Sequence, residues 1–304
     1  MSLKILVTGG AGYVGAALVE QLGKLPSVAE IKVYDNLFLP TRDFFFNASL
    51  NKEKVRFIEG DILDTRKLSP LVKNADMVIH LASVHSAGHD NATLHLLEQV
   101  NHWGTAELCY AAEGSGVKKL LFLSTTEVYG RGDDLKTEKS EINPASPFAH
   151  SKCRGEAHIL RLSNTISTQV FRVGKVVGYG HVKNGKGVAN AFFYDALIKK
   201  RVTIHGDGKQ FRPFISLQHL VSCLLKTVEG DFPSGIYNLS QANMQVLDLL
   251  EEVKKVLPET EFIFNNHHLH LPSLLVSSDY PHLFPPKTLD MAHEYGEFLK
   301  QAKI

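Results

Sequence analysis

Three glycines near the start of the chain, Gly9, Gly12 and Gly15, stand three residues apart between a short apolar run and a helical pattern. A side chain at Gly9 or Gly12 would keep a pyrophosphate away from the backbone N–H groups at the helix N-terminus, where the helix dipole favours an anion. Gly15 would instead let the helix pack closely on the preceding strand. The spacing predicts a phosphate-binding turn, although a tight turn without a ligand would show the same glycines.

An acidic residue, Asp35, ends a second apolar run, residues 31–34, twenty positions after Gly15. Its carboxylate can accept hydrogen bonds from both hydroxyls of an adenosine ribose, and it would repel a 2′-phosphate. The order of strand, glycine turn, helix, strand and acid therefore predicts a dinucleotide site that prefers NAD to NADP.

Strand and helix patterns alternate through the first half of the chain, which predicts an α/β fold built on a doubly wound parallel sheet. Strands are expected at 5–7, 31–34, 55–58, 77–83, 120–123, 169–173 and 235–239. Helices are expected at 92–113, 148–163, 188–199, 220–229 and 246–257, and residues 38–51 read as an irregular excursion.

Two of the predicted strands end in residues that suit a ligand. Asp61 follows the third strand and could accept a hydrogen bond from an adenine amino group, cap the next helix, or do both. Ala82 and Ser83 follow the fourth strand, and their small side chains suit a backbone that lies close to a cofactor.

The composition is that of an ordinary globular protein. The 304 residues are 44% hydrophobic and 21% charged, with a net charge of +1, so neither nucleic acid nor an anionic membrane surface is expected as a partner. The three cysteines are odd in number and share no metal-like spacing. No signal peptide and no apolar run of ~20 residues is visible. We therefore expect a cytoplasmic protein with reduced cysteines.

Five motifs occur in an order that resembles the extended short-chain dehydrogenase/reductases, and most of all their NAD-dependent nucleotide-sugar epimerases and dehydratases. The motifs are Thr8-Gly-Gly-Ala-Gly-Tyr-Val-Gly15, Gly60-Asp-Ile62, His80-Leu-Ala82, Asn101-His-Trp-Gly-Thr105 and Ser124-Thr-Thr-Glu-Val-Tyr-Gly130. The resemblance covers roughly residues 1–240. It implies a Rossmann-type NAD-binding domain at 1–168, with further sheet strands after residue 168. It also implies a smaller, interleaved region at 175–304 that binds a nucleotide sugar.

The resemblance also implies which residues touch the cofactor. The predicted NAD-binding residues are Gly9, Gly12, Tyr13, Val14, Gly15, Asp35, Asn36, Asp61, Ile62, Leu81, Ala82, Ser83, Asn101, Ser124, Lys152 and Val176. A homodimer is expected through helices 92–113 and 148–163, and the resemblance is supported here by apolar residues on both helices, Leu96, Leu97, Val100, Ala106, Ile159 and Leu162.

The chain departs from the family at the residue that normally exchanges a proton. In the family a Ser or Thr, a Tyr and a Lys carry the chemistry, with the Tyr and Lys four positions apart on one helical face. The lysine charge lowers the pKa of the phenol so that it can exchange a proton with a sugar hydroxyl. Thr125 and Lys152 match that pattern, but Phe148 occupies the tyrosine position. Loss of a general acid or base costs about 10²–10⁴-fold in rate.

Four residues could compensate for the missing phenol. Glu127 could act as the acid or base, or it could be a solvated carboxylate. Tyr129 matches a tyrosine that the family uses for packing, and His150 lies about 200° around the helix from Phe148. His85 follows the fourth strand and could reach a substrate, or it could be an ordinary loop histidine.

The matching catalytic residues also have alternative roles. Lys152 could hold the nicotinamide ribose hydroxyls or be a surface lysine. The hydroxyl of Thr125 could contact the substrate or satisfy the end of its strand.

The second half of the chain suggests an altered substrate region. Lys175 stands where related enzymes usually carry an asparagine, so one contact with substrate or cofactor differs from that of the family. By its position, Lys175 is predicted to bind substrate. Arg212 matches the family's diphosphate-binding arginine but could be a surface arginine, and Pro213 replaces the acid that usually follows. Histidines 267, 268 and 270 could bind a metal, yet their spacing fits no defined site, and positions 268 and 270 could share one face of a strand. The tail from Pro281 is short, which suggests a reduced substrate lid.

Two functions remain open from the sequence. In one, Thr125, Lys152 and Glu127 form the catalytic centre of an epimerase or dehydratase that oxidises a nucleotide sugar transiently, with His85, Lys175 and Arg212 at the substrate. In the other, the fold retains NAD as a structural or sensing ligand and turnover is lost. No metal is expected in either case.

Overall fold

The computed structural model describes residues 2–38, 41–85, 90–182, 184 and 187–302. The first part of the chain alternates strands and helices as follows: β1 Leu3–Thr8, α1 Tyr13–Leu22, β2 Val28–Asp35, β3 Val55–Glu59, α2 Thr65–Lys73, β4 Met77–His80, α3 Asn91–Leu97, α4 Gly104–Ala112, β5 Lys119–Thr125, β6 Leu135–Lys136, α5 Pro147–Arg161 and β7 Ser167–Val173.

The second part carries shorter strands and the remaining helices. These are β8 Lys175–Val177, α6 Val188–Lys199, β9 Arg201–His205, β10 Phe211–Ser216, α7 Leu217–Glu229, β11 Gly235–Leu239, β12 Ala242–Gln245, α8 Val246–Val256, β13 Glu261–Asn265, β14 Leu275–Val276 and α9 Met291–Ala302.

The large sheet has seven parallel strands within the described residues, in the order β11-β7-β5-β4-β1-β2-β3. This is the predicted doubly wound α/β arrangement. The strand order reverses at β1, which lies between β4 and β2, and ligands of such sheets bind at the carboxyl ends of the strands beside this point. β7 and β11 come from beyond residue 166, so the later chain contributes to the first sheet.

Two apolar layers cover the sheet and a third forms the smaller region. α1 and α7 pack on one face, and α2, α4 and α5 pack on the other. The smaller region is built from α6, α8 and α9 around β9 and β10. Burial of both faces explains why β1 and β4 read as continuous apolar runs in the sequence.

The helix expected at 92–113 is divided into three segments. α3 and α4 are joined by a π-helical turn, Glu98–Trp103, in which the backbone takes one extra residue per turn. Such turns are rare and are frequent at functional sites. The buried Asn101 lies in this turn.

The chain after residue 280 differs from the prediction of a reduced tail. It includes α9, whose Met291, Tyr295 and Phe298 are buried against α6 and α8. Tyr295 stacks on Phe193 with ring centroids 4.9 Å apart. The tail is therefore part of the core of the smaller region. The predicted excursion at 38–51 contains one short 3-10 helix, Arg42–Phe46, and its residues 39 and 40 lie outside the described part of the chain.

Candidate active site

The glycine turn lies against the loop that follows β4. Gly9 has a φ of +69°, and a Cβ atom there would lie 2.4 Å from the backbone nitrogen of Ala82. A Cβ at Gly15 would lie 2.5 Å from the carbonyl oxygen of Gly9, which agrees with the close packing expected of this glycine. At Gly12 a Cβ would meet only that same oxygen, at 3.3 Å, so this position leaves open space at the N-terminus of α1. Of the three glycines, Gly12 thus best fits the predicted role of leaving room for a phosphate.

Asp35 lies at the carboxyl end of β2 beside this turn. Its carboxylate accepts hydrogen bonds from the backbone nitrogens of Ala11, at 3.1 Å, and Leu37, at 2.9 Å. Burial raises the pKa of Asp35, and these backbone donors oppose the rise. The carboxylate therefore has a fixed orientation next to the glycine turn, where a ribose would be expected.

Asp61 does not cap the following helix, which corrects one of its two predicted roles. Asp64 is the N-cap of α2 and accepts from the nitrogen of Lys67. The carboxylate of Asp61 instead accepts from Asn36 Nδ2 and from the nitrogen of Leu63, both at 2.9 Å. Asp61 and Asn36 thus lie together at the ends of β3 and β2, and an adenine contact remains a proposal. The side chain of Ile62 is buried against Gly104.

Asn101 has a structural role that the sequence did not reveal. Its Oδ1 accepts from the hydroxyl of Ser83, at 3.0 Å, and from the nitrogen of Val84, at 2.8 Å. Its Nδ2 donates to the carbonyl of Val84, at 2.9 Å, and to the hydroxyl of Ser151 on α5, at 3.0 Å. All four hydrogen-bonding positions of the amide are occupied. Asn101 therefore fastens the loop after β4 to α5, and its predicted direct contact with the cofactor stays a prediction.

Lys152 is buried, which contradicts its alternative as a surface lysine. Its Nζ lies 4.1 Å from the centroid of the Phe122 ring. Burial lowers the pKa of Lys152 to about 7, with Glu156 opposing the shift. Among the described residues no hydrogen bond to Nζ is present, so this ammonium can still donate to a ligand.

A buried ion pair joins α5 to β7, and it was not predicted from the sequence. Arg172 donates through Nε and Nη2 to the carboxylate of Glu156, and Ser124 donates its hydroxyl to the same group. The hydroxyl of Ser124, predicted to contact NAD, is thus held by a protein carboxylate. The guanidinium of Arg172 also lies 4.8 Å from the Tyr129 ring. The sequence did offer one indication that Glu156 lies near the site, because Glu156 follows Lys152 by four residues on the same helix.

His80 is a second buried group that the sequence did not single out for chemistry. Its Nδ1 lies 2.6 Å from the Thr8 hydroxyl and its Nε2 lies 2.9 Å from the Thr105 hydroxyl. Because Thr105 donates its own hydrogen to the carbonyl of Asn101, we assign the imidazole proton to Nε2. Burial, with a smaller effect of Lys152, lowers the pKa of His80 to about 3, so the ring is neutral.

Thr125 lies at the end of β5, and its Oγ1 accepts from the nitrogen of Glu127 at 3.2 Å. This bond gives the hydroxyl the strand-end role considered above and leaves its hydrogen available for a substrate oxygen. The neighbouring Thr126 bonds instead to the carbonyl of Val173.

Glu127 forms an ion pair with Lys175, and both side chains line a small pocket with Arg212 and Arg131. The cavity measures about 100 Å³. Burial acts to raise the pKa of Glu127, but Lys175 and then His85 and Arg212 outweigh it, so the pKa is lowered. An ionised, paired carboxylate is a poor proton donor, which argues against Glu127 as the acid that replaces the phenol.

Arg212 is placed in this pocket as expected and is oriented by the backbone. Its Nη1 donates to the carbonyls of Phe211, at 2.7 Å, and Pro272, at 2.9 Å. Burial, then repulsion from Arg131, lowers the pKa of the Arg212 guanidinium. The pocket is therefore lined by one carboxylate and by three cationic side chains, those of Arg131, Arg212 and Lys175. Because positive charge is in excess, the pocket suits an anionic ligand group.

Phe148 lies in the first turn of α5, which begins at Pro147. The helix is capped by Ser146, whose hydroxyl accepts from the nitrogen of Ala149 at 3.1 Å. The imidazole of His85 packs on the Phe148 ring, with centroids 4.5 Å apart and an interplanar angle of 69°. His150, two residues further along, is exposed, in agreement with the prediction that it points away.

Tyr13 and Val176 lie where α1 meets the smaller region. The hydroxyl of Tyr13 donates to the carbonyl of Gly178 at 2.6 Å, so this side chain joins the two parts of the fold. Val176 lies in β8 and pairs with Ile215 in β10. Val14, Leu81 and Ala82 are half-buried around the glycine turn.

Two further groups are accounted for by the fold. Tyr129 is buried and donates its hydroxyl to Asn238 at 2.7 Å, in keeping with a packing role. The histidines at 267–270 follow β13 as a turn rather than lying on a strand, and His270 pairs with Asp207 at 2.6 Å. Within the described residues no cluster of three or more His, Cys, Asp or Glu side chains could hold a metal ion, and no helix is long and apolar enough to cross a membrane.

The sheet and the glycine turn define a Rossmann-like dinucleotide-binding protein. The NAD dependent epimerase/dehydratase family matches residues 5–240, and the chain belongs to this family. The family is NAD-dependent, in agreement with the predicted cofactor.

Relatives within this family are similar over most of the chain. The mouse dTDP-D-glucose 4,6-dehydratase is 30% identical over 84% of this chain and 74% of its own length. The UDP-glucose 4-epimerase of Mycolicibacterium smegmatis is 29% identical over 74% of this chain and 72% of its own.

Solved structures share the fold. The UDP-glucuronic acid 4-epimerase of Bacillus cereus, in complex with UDP-glucuronic acid and NAD, has a TM-score of 0.87 at 23% identity, covering 99% of this chain and 100% of that one. The dTDP-glucose 4,6-dehydratase DesIV of Streptomyces venezuelae, with NAD bound, has a TM-score of 0.85 at 22% identity, covering 99% and 98% of the two chains. The smaller region thus has counterparts over nearly its whole length.

Proposed function

We propose that this chain is an NAD-dependent enzyme that epimerises or dehydrates a nucleotide sugar through transient oxidation of a sugar hydroxyl. The observation that carries the proposal is the juxtaposition of a cationic pocket with Thr125 at the carboxyl edge of the dinucleotide-binding sheet. The relatives named above act on dTDP- and UDP-sugars, which supports the same substrate class.

The residues around the sheet edge fit NAD. The carboxylate of Asp35 is fixed beside the glycine turn, and a ribose could replace the weaker of its two backbone donors. Gly12 leaves open space at the start of α1 for a pyrophosphate. The buried Nζ of Lys152 would donate to the hydroxyls of the nicotinamide ribose. When bound, NAD supplies reversible two-electron oxidation at a sugar carbon.

The cationic pocket fits the phosphates of the substrate. The fork of Arg212 is oriented by two carbonyls, and its remaining N–H groups suit a phosphate. Lys175 and Arg131 add positive charge on the same wall. We propose that a diphosphate binds here, which would weaken the pairing of Lys175 with Glu127.

Thr125 would then donate its hydroxyl hydrogen to the sugar oxygen that reacts. The backbone of Glu127 already fixes the orientation of this hydroxyl, so little rotational freedom is lost when a substrate binds. Glu127, whose pKa is lowered, would stay ionised and orient the neighbouring cations rather than donate a proton.

A second candidate function is binding without turnover, and Phe148 is the observation that favours it. The ring cannot exchange a proton, and the carboxylate of Glu127 is paired with Lys175. NAD would then serve as a structural or sensing ligand.

Turnover by the native chain separates the two functions. NAD binding is first measured by calorimetry, and products are then analysed over a panel of UDP- and dTDP-sugars. We expect slow turnover of at least one sugar and a loss of about 10²-fold in Thr125→Val, the usual effect of removing one positioned donor.

Thr168→Val is the matched control, because the Thr168 hydroxyl is buried in β7 without a partner among the described residues. It should keep full activity. A native chain that binds NAD but leaves every sugar unchanged would replace the enzyme proposal with the binding one.

A further inference from the structure

We propose that His85 is the proton-exchanging residue that compensates for Phe148. The inference rests on the proposed function, and it assigns to His85 the role of acid and base at the sugar hydroxyl.

The first observation is the contact between the two rings. The imidazole of His85 packs on the ring of Phe148, with centroids 4.5 Å apart. Phe148 stands one helical turn before Lys152 on α5. An exchangeable proton is therefore present beside the side chain that lacks one. An imidazole is suited to general acid–base catalysis at neutral pH.

The second observation is the way in which the loop is anchored. Asn101 binds the backbone nitrogen and carbonyl of Val84, the residue before His85, and also the hydroxyl of Ser151 on α5. The backbone that carries the imidazole is thus tied to the helix that carries Phe148 and Lys152. A proton-transfer group needs such positioning to within a hydrogen-bond length of its partner.

The third observation is the charge around His85. The carboxylate of Glu127 interacts with the imidazole. Burial acts to raise the pKa of Glu127, but Lys175, His85 and Arg212 outweigh burial, so the pKa is lowered. The cations facing the site are Lys152 from α5, Lys175 from β8, Arg212 from β10 and Arg131 in the loop after β5. The imidazole therefore lies within a charged site rather than against an apolar surface alone.

The other three candidates from the sequence occupy positions that suit the role less well. Glu127 is paired with Lys175, and Tyr129 is buried with its hydroxyl bound to Asn238. His150 is exposed on the other side of α5. His85, by contrast, packs its ring on that of Phe148.

In the proposed step, the neutral imidazole would accept the proton of the sugar hydroxyl. The sugar carbon that carries this hydroxyl would transfer one hydrogen and two electrons to the oxidised nicotinamide, which converts the alcohol to a ketone. On the return, the imidazolium gives the proton back to the oxygen as the carbon regains its hydrogen and two electrons. No other oxidant or reductant is needed.

The principal test compares His85→Gln with His150→Gln. We expect kcat to fall about 10²–10⁴-fold in His85→Gln, the usual loss for a general acid or base, and to stay unchanged in the control. The rise of kcat/KM on the acid side of the pH profile should disappear in His85→Gln and persist in His150→Gln. A purely structural histidine would change the rate without removing this limb.

A rescue variant tests the same assignment from the other side. Phe148→Tyr in the His85→Gln background supplies a phenol one turn from Lys152, and it should recover at least tenfold of the lost activity. Phe148→Leu in that background offers no proton and should recover none.

A readout independent of NAD comes from NMR of the ring protons of His85 in the chain without ligands. Substitution Glu127→Gln removes the facing carboxylate, so the titration midpoint of His85 should move to lower pH, whereas that of His150 should not.

The outcomes are distinguishable. An active native chain whose His85→Gln variant keeps its kcat and its acid limb overturns the role of His85 and leaves the proposed function standing. A native chain that binds NAD and turns over no sugar overturns both.

Discussion

Burial, more than residue type, decides which ionisable groups of this site can act. Lys152 and His80 are both fully enclosed on the α5 side of the sheet, and in both the cost of burying a charge lowers the pKa. His80 is neutral and bonded to two threonines, so it is structural. Lys152 has no hydrogen bond among the described residues, and its amine remains available to a ligand.

Asp35→Ala should narrow the preference for NAD over NADP. The variant lacks the carboxylate and therefore its hydrogen bonds to the ribose. Because a charge-assisted bond contributes about 1.5–3 kcal/mol, NAD affinity should fall about 10–100-fold. NADP affinity should change less, because the repulsion of its 2′-phosphate is also removed. Isothermal titration calorimetry measures both.

Glu59→Ala is the control, since this acid lies opposite Asp35 in the register of β2 and β3 and is exposed. It should change neither affinity. Equal affinity of the native chain for the two cofactors would contradict the ribose assignment.

Gly9→Ala should destabilise the fold more than any exposed glycine replacement. The residue combines a φ of +69° with a Cβ position only 2.4 Å from the backbone of Ala82. Gly114 has a φ of +65° and nothing within 4 Å, so Gly114→Ala should cost only the left-handed backbone, about 1–2 kcal/mol. Gly116→Ala has neither constraint and should be near neutral. Urea unfolding ranks the three, and equal losses at Gly9 and Gly114 would show that the contact with the β4 loop is unimportant.

At the level of elements, α5 is the part of the fold that assembles the site. Its N-terminal turn carries Phe148, its next turn carries Lys152, and Glu156 one turn later pairs with Arg172 on β7. The π-helical turn beside it turns Asn101 toward both α5 and the β4 loop. A change in either element would therefore move several site residues together.

Glu294 on α9 should make stability depend on pH. Burial raises its pKa from 4.5 to about 7, with Glu297 and Asp290 adding to the rise and His293 and Ser216 opposing it. The native state holds a proton that the unfolded chain releases, so this stabilisation is present below pH 4.5 and is lost as pH rises to about 7. Urea unfolding between pH 4.5 and 7.5 should show the free energy of unfolding falling with pH.

In Glu294→Gln that fall should be smaller, whereas Glu259→Gln, an exposed acid outside α9, should keep the native slope. Parallel curves for the native chain and Glu294→Gln would rule out the buried carboxyl as the cause.

At the level of the whole molecule, most of the apolar residues expected at the dimer interface are not available to it. Leu97, Ala106, Ile159 and Leu162 are buried in the core of their own chain and cannot face a second copy. Leu96 and Val100 are half-buried. The exposed aromatic residues of the same helices are Trp103 and Tyr110, at 47% and 51% exposure.

We expect a dimer through these two aromatic residues, and Trp103→Glu with Tyr110→Glu should shift it to a monomer because two charges would be buried in the interface. Light scattering at micromolar concentration measures the mass. Phe262→Glu, on the exposed strand β13, is the control and should not change it. A monomeric native chain would contradict the proposal.

The sequence alone was enough to predict the seven strands of the large sheet, the glycine turn after β1 and the placement of Phe148 and Lys152 one turn apart on one helix. Each is a local feature: the apolar runs of β1 and β4 follow from burial of both faces, and the spacing of Phe148 and Lys152 follows from the pitch of one helix. The family resemblance extended this reading to NAD and a nucleotide sugar.

The tertiary structure decided which side chains meet. Glu127 and Lys175 lie 48 positions apart, and Asn101 and Ser151 lie 50 apart, so no periodic pattern links them. Their contacts depend on the register of parallel strands and on how α5 packs on β5. The same packing buries Lys152, sets the Asn101 amide against the β4 loop, and brings His85 onto Phe148. Local sequence specifies the elements and the residue types at their ends, whereas long-range packing determines the partners and therefore the chemistry.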